Sequence, residues 1–477
     1  MTAPTTVLTL DGNRTQLSPD VVDRLAAGLR GELLTPDSPG YHQARAVWNA
    51  MIDCRPGLIA RCAGEADVIQ AVNFARAHEL LVAVRGGGHN IAGTGVCDEG
   101  LQIDLSPMRS VHIDPEARVA QVEPGCTLAD FDHDAQVFEL ATPLGVNSTT
   151  GVAGLTLGGG FGWLSRKHGM TIDNLKSAEV VIADGRVVQA SEESHPDLFW
   201  ALRGGGGNFG VVTSFTFRLH PVGPTVLSGL IVHPLGDAAK LLRFYRDFAA
   251  RLPDETSVWV VLRKAPPLPF LPSEWHGKEV VVFAAFHAGD LAEGERILEP
   301  LRRFGEPIAD VIGPHPYAGW QQAFDPLLEP GVRNYWKSHD FERLSDEVLD
   351  TLTDFAGRLP SAMTEIFLGQ VGGQMARVPP EATAYPARDV SFIMNVHGRW
   401  ETPAEDERVI DWARACFRAT APFATGQAYM NFLTADEGER IRAAYGPNYD
   451  RLVEVKSEYD PGNLFRMNQN IRPAVPA

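Results

Sequence analysis

Four glycine clusters are the feature of this sequence most suited to holding a ligand. They fall within about 125 residues, at Gly86–Gly88, Gly93–Gly95, Gly151–Gly162 and Gly204–Gly210. Glycine allows close backbone approach and positive φ, and successive backbone N–H groups form nests that bind phosphate. A single cluster is equally consistent with a tight turn in a β-rich domain. Four in one region favour a large phosphate-bearing ligand held mainly by backbone.

The familiar nucleotide motifs do not account for these clusters. Gly205-x-Gly207-x-x-Gly210 matches the dinucleotide fingerprint in letters, but that fingerprint follows a strand and opens a helix. Here a helical segment, Pro196–Leu202, precedes it, and Val211–Leu219, whose alternation predicts a half-buried strand, follows. The sequence also lacks a G-x-x-x-x-G-K-[ST] phosphate loop. Both a Rossmann site and a P-loop nucleotidase are therefore disfavoured.

A strand–helix–strand unit positions the first glycine loop. Leu58–Cys62 and Leu81–Arg85 are apolar runs of strand length, and Glu65–His78 has apolar residues at helical spacing. Asp184-Gly185 is a hairpin turn signal between two short strands. The pattern predicts further strands at Leu101–Leu105, Val111–Ile113, Val119–Val122, Val180–Ile182, Val187–Gln189, Val280–Ala285 and Val390–Val396, and helices at Pro19–Leu29 and from a Thr127 cap to Phe138.

Changes in composition predict three segments. Pro221–Pro224 is a candidate boundary, after which glycine density falls and proline rises. We therefore expect one domain over 1–222, a second over 223–436, and a C-terminal segment, 437–477, that returns to the first domain. That last segment carries aromatic and aliphatic anchors, so we expect it to be ordered and packed.

Composition excludes several functional classes. The formal charge is −18 with a pI near 5.2, which argues against a nucleic-acid partner. The sequence shows no secretory signal peptide and no apolar run of about 18 residues, so we expect a cytoplasmic protein without a membrane partner. The five cysteines are odd in number and form no C-x-x-C pair, so we expect neither a disulfide framework nor a metal site.

Six motifs stand in order along the chain and cover roughly residues 50–222 and 380–473. They are Arg85-Gly86-Gly87-Gly88-His89-Asn90, the run Gly145–Trp163, Arg166–Gly169 with Asp173-Asn174-Leu175, Asp197–Thr213, Asp460–Phe465 and Asn468–Ile471. Together they resemble the berberine-bridge-enzyme-like branch of the vanillyl-alcohol oxidase superfamily. Residues 223–380 add almost nothing to this resemblance.

The resemblance implies an α+β fold and a flavin cofactor. A two-lobed PCMH-type FAD-binding domain would be built from the N-terminal half and the C-terminal segment, and a substrate domain would lay a large antiparallel sheet, flanked by helices, over the flavin ring. FAD would be bonded covalently through its 8α carbon to the ring of His89. The other residues that the resemblance assigns to cofactor binding are Arg85, Gly86, Gly87, Gly88, Asn90, Gly145, Ser148, Thr149, Gly151, Gly154, Asp173, Asn174, Gly207, Gly210, Val212 and Asn468.

The sequence departs from the family pattern at three places. Bicovalent members carry a cysteine where this chain has Asn147, and neither Cys97 nor Cys126 matches that position. We therefore expect a single covalent link. The family's His-Arg pair is Ala387-Arg388 here, and Asn395 stands where some relatives have a carboxylate or glutamine.

The resemblance also indicates which residues take part in catalysis. Tyr429-Met430-Asn431 matches a Tyr-x-Asn motif whose tyrosine is often the base in the family. A tyrosine of ordinary pKa, about 10, is a poor base, so it would need a cation or hydrogen-bond donors to favour the phenolate; the alternative is a buried structural tyrosine. On the strand that ends at Trp400, Asn395 and His397 share one face. Asn395 cannot act as a base, and His397 is a weaker candidate.

We expect an oxidase that transfers a hydride from a sugar, alcohol, amine or secondary metabolite to FAD, with dioxygen reoxidising the flavin to give hydrogen peroxide. One alternative is a flavin dehydrogenase that uses a non-oxygen acceptor, and another is a flavin-binding protein without turnover. A UDP-sugar reductase of the same fold is disfavoured by the His89 link. The aromatic residues between 310 and 340 are candidates for either the substrate pocket or the core, namely Tyr317, Trp320, Phe324, Tyr335 and Trp336.

Overall fold

The first part of the chain forms a small, mainly parallel sheet. The computed structural model describes residues 4–474. Its first elements are β1 Thr5–Leu8, β2 Arg14–Leu17, α1 Pro19–Gly28, β3 Glu32–Leu34, α2 Tyr41–Arg45, β4 Leu58–Arg61, α3 Glu65–Ala77, β5 Val82–Arg85 and β6 Leu101–Asp104. The sheet order is β3-β4-β6-β5, with β6 parallel to both β4 and β5. The chain leaves β5 directly into the first glycine loop.

A five-stranded antiparallel sheet follows. Its region contains β7 Val111–Asp114, β8 Val119–Val122, α4 Leu128–Gln136, β9 Leu140–Ala141, α5 Val152–Leu157, α6 Ser165–His168, β10 Leu175–Val181, β11 Val187–Ser191, α7 Pro196–Leu202, β12 Val211–Arg218 and β13 His220–Pro221. The strand order is β11-β10-β12-β8-β7, and β13 pairs with β9. As predicted, Thr127 caps α4, through a reciprocal pair of bonds with Asp130.

The third sheet has eight strands and is antiparallel. The remaining elements are β14 Thr225–Pro234, α8 Ala238–Ala249, β15 Thr256–Lys264, β16 Glu279–His287, α9 Leu291–Arg302, β17 Ala309–Asp310, β18 Gly313–Pro316, α10 Tyr317–Gln321, β19 Arg333–Phe341, α11 Asp346–Ala356, β20 Glu365–Gln370, α12 Gln374–Arg377, β21 Phe392–Trp400, α13 Asp406–Thr420, α14 Ile441–Tyr445 and α15 Tyr449–Tyr459. The order is β17-β14-β16-β15-β20-β21-β19, and β18 also pairs with β14. The expected α+β fold with a large antiparallel sheet is confirmed.

The two faces of the large sheet have different partners. Along β15, Val258, Val260 and Leu262 point into a core shared with α8, α9, α11 and α13. Trp259 and Val261 alternate with them and face a cavity instead. The helices therefore cover one face, and the other face is left to form a site.

Two sequence expectations need adjustment. The alternation at Val211–Leu219 predicted a half-buried strand, yet β12 is buried over nearly its whole length. It lies at the centre of its sheet, between the core that contains Phe215 and the core that contains Val211. The helix after Thr127 ends at Gln136 rather than Phe138, because Phe138 lies beyond the buried face of the helix and is exposed.

The C-terminal segment packs against the first part of the chain. Leu464 and Phe465 are buried in the same core as β4 and β6. The preceding turn is fixed by Asp460, whose carboxylate accepts bonds from the backbone N–H groups of Leu464 and Phe465, both at 2.8 Å. Within the part of the chain that the structure describes, no helix has the length and apolar character needed to cross a bilayer.

Candidate active site

One large cavity lies between the glycine loops and the free face of the large sheet. Its floor is formed by residues 84–90, 145–158 and 206–212, and its roof by side chains of β14, β15, β16, β19, β20 and β21. Residues 429–432 and 467–469 form part of its side. All three segments of the chain thus contribute to one site.

The glycine loops form a cradle that admits no side chains at its closest point. A Cβ at Gly87 would lie 2.5 Å from the backbone nitrogen of Gly151, so the two loops meet backbone to backbone. Gly88 has φ +68° and Gly206 has φ +74°, in the left-handed region that favours glycine. By contrast, a Cβ at Gly154 would meet nothing within 4 Å. Open space bounded by backbone in this way fits a phosphate-bearing cofactor.

His89 lines this cradle and is held by its neighbours. Its ring stacks on Trp48, with centroids 4.4 Å apart. Its Nε2 lies 3.3 Å from the hydroxyl of Thr149, and that hydroxyl donates its single proton to Asn147 Oδ1 at 2.7 Å. Nε2 must therefore carry the proton shared with Thr149, which leaves the lone pair on Nδ1. Burial lowers the pKa of His89 to about 3, so the ring is neutral at pH 7.

No cysteine of the described residues lines the cavity. All five thiols are free, and four of them are buried elsewhere. Cys126, for example, lies in the core beneath α4, where burial raises its pKa to about 12. Asn147, at the position of the second link in bicovalent relatives, does line the cavity. Residues 4–474 also contain no group of three metal-ligating side chains.

Tyr429 lines the cavity and is itself buried. Its phenolic oxygen accepts hydrogen bonds from the backbone N–H of Gly160 and from Asn431 Nδ2, both at 3.0 Å. Burial raises the pKa of Tyr429 to about 12, although both donors oppose that rise by favouring the phenolate. The rings of Phe161 and Phe432 hold it edge-on, each with a centroid distance of 4.9 Å.

A charged chain of three residues runs across the roof. Arg263 Nη1 lies 2.8 Å from Glu365 Oε2, and His397 Nδ1 lies 3.0 Å from Glu365 Oε1. Burial alone would raise the pKa of Glu365, but the charge of Arg263 and the bond from His397 outweigh it and lower the pKa to about 2. An ionised Glu365 accepts the Nδ1 proton, so Nε2 carries the lone pair in the neutral imidazole. No described group bonds to that Nε2.

Most of the site residues predicted from sequence meet in this cavity. Those that line it are Arg85, Gly86, Gly87, Gly88, His89, Asn90, Gly145, Gly151, Gly154, Gly207, Gly210, Val212, His397, Tyr429, Asn431 and Asn468. Thr149 lies just behind His89. Those outside its lining are Ser148, Thr149, Asp173, Asn174 and Asn395.

These outlying residues have other partners. Asp173 receives two bonds from Arg388, at 2.8 and 2.9 Å, and so anchors the Ala387-Arg388 segment. The side chain of Asn174 donates to two backbone carbonyls of its own turn. The backbone N–H of Ser148 donates to Asp325 at 2.9 Å. These contacts support the loops of the cradle from behind.

Asn395 is fully buried beside the cavity, and no described group bonds to its amide atoms. It pairs across the sheet with Phe367, which does line the cavity. Of the five aromatic residues between 310 and 340, Phe324 and Trp336 line the cavity, and the others are core.

Sequence reasoning did not find Arg263, Glu365 or Phe367. Arg263 is the last cavity-facing residue of β15 and follows the apolar Trp259 and Val261 on the same face. This charged residue at the end of an apolar alternation is the one local signal that could have identified it. Glu365 opens β20 and carries no local signal of a partner on β21.

Known proteins resemble the chain over nearly its whole length. A family model described as an FAD binding domain matches residues 56–191, and one described as berberine and berberine like matches residues 428–472. An FAD-linked oxidoreductase of Dictyostelium discoideum is 30% identical over 469 residues, covering 97% of this chain and 99% of that relative.

Two solved structures share the fold closely. The 6-hydroxy-D-nicotine oxidase from Arthrobacter nicotinovorans superposes with a TM-score of 0.85 at 29% identity, covering 94% of this chain and 98% of that one. The xylooligosaccharide oxidase from Myceliophthora thermophila C1, solved with xylobiose, gives 0.82 at 25% identity, covering 96% and 100%. One of these relatives is named for a nicotine derivative and the other for a saccharide.

Proposed function

Because this chain belongs to the berberine-bridge-enzyme-like family of FAD-linked oxidoreductases, we propose that it is an oxidase that carries its FAD on His89. Its substrate is an alcohol, an amine or a related small molecule, and dioxygen takes up the electrons to give hydrogen peroxide. The observation that carries the proposal is the single cavity, in which His89 and the glycine cradle face Tyr429 and His397.

The backbone of the glycine loops fits the cofactor. The backbone of 86–90 offers N–H groups to a pyrophosphate, as do Gly151 and Gly154, and the close contact of Gly87 with Gly151 keeps side chains out of the way. When bound, FAD supplies the redox chemistry by accepting a hydride equivalent from a substrate C–H bond. The protein's part is to position both partners and to manage the substrate's proton.

The tether is supported by the state of His89. Its ring is neutral at pH 7, and the hydrogen-bond chain through Thr149 to Asn147 leaves the lone pair on Nδ1. We therefore assign Nδ1 as the atom that forms the link. With Asn147 at the other candidate position, and no cysteine along the cavity, the link is single.

Two groups could take the substrate's O–H or N–H proton. Tyr429 has two donors on its oxygen, but its raised pKa disfavours the phenolate. His397 carries a lone pair on Nε2 and is oriented by ionised Glu365, which would stabilise the imidazolium formed on proton transfer. The geometry favours His397 as the base and Tyr429 as a hydrogen-bonding group for the substrate.

The tether is tested by acid precipitation of the purified protein. We expect yellow colour to stay in the wild-type pellet and to move to the supernatant in His89→Ala. His133→Ala, an exposed histidine outside the cavity lining, is the matched control and should stay yellow. Retention of colour by the His89→Ala pellet would refute the link.

Activity is tested by mixing the protein with alcohols, amines and sugars without oxygen. Bleaching of the flavin by one of them shows oxidation, and hydrogen peroxide formed in stoichiometric amount when air is admitted shows that dioxygen is the acceptor. Bleaching that is reversed by a quinone but not by air would instead indicate a dehydrogenase. If no compound bleaches the flavin, the catalytic proposal is wrong.

A further inference from the structure

The half of the cavity away from the glycine cradle has an apolar roof. The large sheet contributes Val232, Val261, Val282 and Ala284 to this surface. These side chains lie on adjacent strands and all point away from the helices. They form a continuous patch without a hydrogen-bonding group.

A proline-rich strap extends this surface. We define the strap as residues 265–272, which connect β15 to β16 through a short turn and contain four prolines. Leu268, Phe270 and Leu271 of the strap line the cavity. The strap is held at its first residue: the N–H of Ala265 donates to the carbonyl of Lys278, and the carbonyl of Ala265 accepts from the N–H of Gly277, both at 2.8 Å. Proline restricts the backbone, so the strap is a preformed apolar wall.

Few side chains in this half of the site can form hydrogen bonds with a substrate. Of the side chains that the large sheet contributes to the lining, Arg263, Glu365 and His397 are the ionisable ones, and Glu365 already uses both of its oxygens on the other two. Among the buried polar atoms of this lining, Nε2 of His397 and the indole N–H of Trp336 have no partner. Their rings stack with centroids 4.6 Å apart. Arg263 uses its Nε on the carbonyl of Lys264 and its Nη1 on Glu365, which leaves Nη2 as a further donor.

From this distribution we infer that the substrate has an apolar body and a single polar reacting end, and that it is not a saccharide. The lone pair of His397 and the indole N–H of Trp336 are one acceptor and one donor, which suits one hydroxyl or one amine. The valine patch and the strap suit a hydrocarbon or aromatic body. The inference rests on the proposed function, because it takes this half of the cavity as the substrate's half.

A saccharide fits this surface poorly because it carries more hydroxyl groups than the surface can pair. Each of its ring carbons carries oxygen, and a buried hydroxyl left without a partner loses its hydrogen bonds to water. Apart from Arg263, Glu365, His397 and Trp336, the side chains that the sheet and the strap contribute to the lining offer no free hydrogen-bonding group, so hydroxyls of a disaccharide that lie against the valine patch and the strap would stay unpaired. An alcohol or amine with a long apolar body buries only carbon there.

The test is titration of the flavin absorbance of the holoprotein without oxygen. The probes are benzyl alcohol, 3-phenylpropan-1-ol, 5-phenylpentan-1-ol, the matching amines, and xylobiose. We expect affinity to rise about fourfold for each added methylene, the value for burial of one CH₂. Xylobiose should cause no spectral change at concentrations that saturate with the longest alcohol.

Two variants test whether the gain in affinity with chain length comes from contact with the strap. Phe270→Ala should weaken binding of 5-phenylpentan-1-ol about tenfold and leave benzyl alcohol unchanged, because only the longer body reaches the strap. Phe138→Ala, an exposed phenylalanine outside the cavity lining, is the matched control and should change neither.

The outcomes separate this inference from the proposed function. Affinity that does not change with chain length, tighter binding of xylobiose, or no binding by any of the alcohols and amines would overturn the apolar-body inference. Length-dependent binding without bleaching by any compound would support it and refute the oxidation. Length-dependent binding with bleaching supports both.

Discussion

Gly154→Ala separates the stability of the fold from its capacity to hold the cofactor. Gly154 lies inside α5, is exposed on the cavity wall, and would place a new Cβ in space that no protein atom occupies within 4 Å. If that space belongs to FAD, the methyl group collides with the cofactor and with nothing else. The substitution should therefore weaken FAD binding without destabilising the fold.

Both effects can be estimated. Alanine is favoured over glycine inside a helix by up to about 1 kcal/mol. With an unfolding entropy of roughly 2 cal/mol/K per residue, a chain of 477 residues gains about 1 °C in Tm. A methyl group in contact space should weaken FAD binding at least tenfold, which corresponds to about 1.4 kcal/mol.

The assay uses the His89→Ala background, in which FAD binding is reversible. The dissociation constant is read from flavin fluorescence, and Tm is measured on the flavin-free protein. Gly236→Ala is the control, since its Cβ also meets nothing within 4 Å but lies outside the cavity lining. Equal FAD affinity in the Gly154→Ala and control proteins would show that FAD does not lie against α5.

Three other predictions follow from the same contacts. Gly87→Ala puts a Cβ 2.5 Å from the backbone nitrogen of Gly151, so we expect a loss of about 1–3 kcal/mol in unfolding free energy and a larger flavin-free fraction, measured by urea unfolding and by absorbance. His397→Gln should slow anaerobic flavin reduction at least 100-fold, whereas Tyr429→Phe should slow it by less. The reverse order of the two rate losses would make Tyr429 the base. The pKa of Glu365 is lowered from an ordinary 4.5 to about 2, so its ionisation adds about 3 kcal/mol to the free energy of unfolding above pH 4.5, and this stabilisation is lost as pH falls towards 2. Glu365→Gln should therefore flatten the pH dependence of the unfolding free energy between pH 4.5 and 2. An unchanged slope would contradict the lowered pKa of Glu365.

The parts of the site that sequence could predict are local ones. The loop Gly86–Asn90 follows β5 without a break, and its glycines are required by a backbone contact, so spacing located the cradle, whereas the choice of His89 rested on the family resemblance. The strand–helix–strand unit before it was predicted within a residue or so at its ends, because its apolar spacing is regular.

The charged roof could not be predicted in this way. Arg263, Glu365 and His397 lie on three strands separated by about 100 and 30 residues, and they meet only because β15, β20 and β21 pair in one register. A shift by one residue would turn Glu365 into the helical core. Strand register over such separations is set by packing of the whole sheet, which no local pattern encodes.

The motif at Asp460–Phe465 shows why a residue can belong to a cofactor-binding signature without lining the cavity. Lys456 is fully buried, and its ammonium lies 2.6 Å from Asp460 and 2.7 Å from the carbonyl of Asn208 in the last glycine cluster. Asn208 in turn accepts the backbone N–H of Ile471 at 2.9 Å. A buried ion pair is costly to break from one side, because the remaining charge is left without a partner. The C-terminal segment is thereby fixed to the loop that it must meet, so that Asn468 lines the cavity beside residues 206–210 although more than 250 residues separate them in sequence.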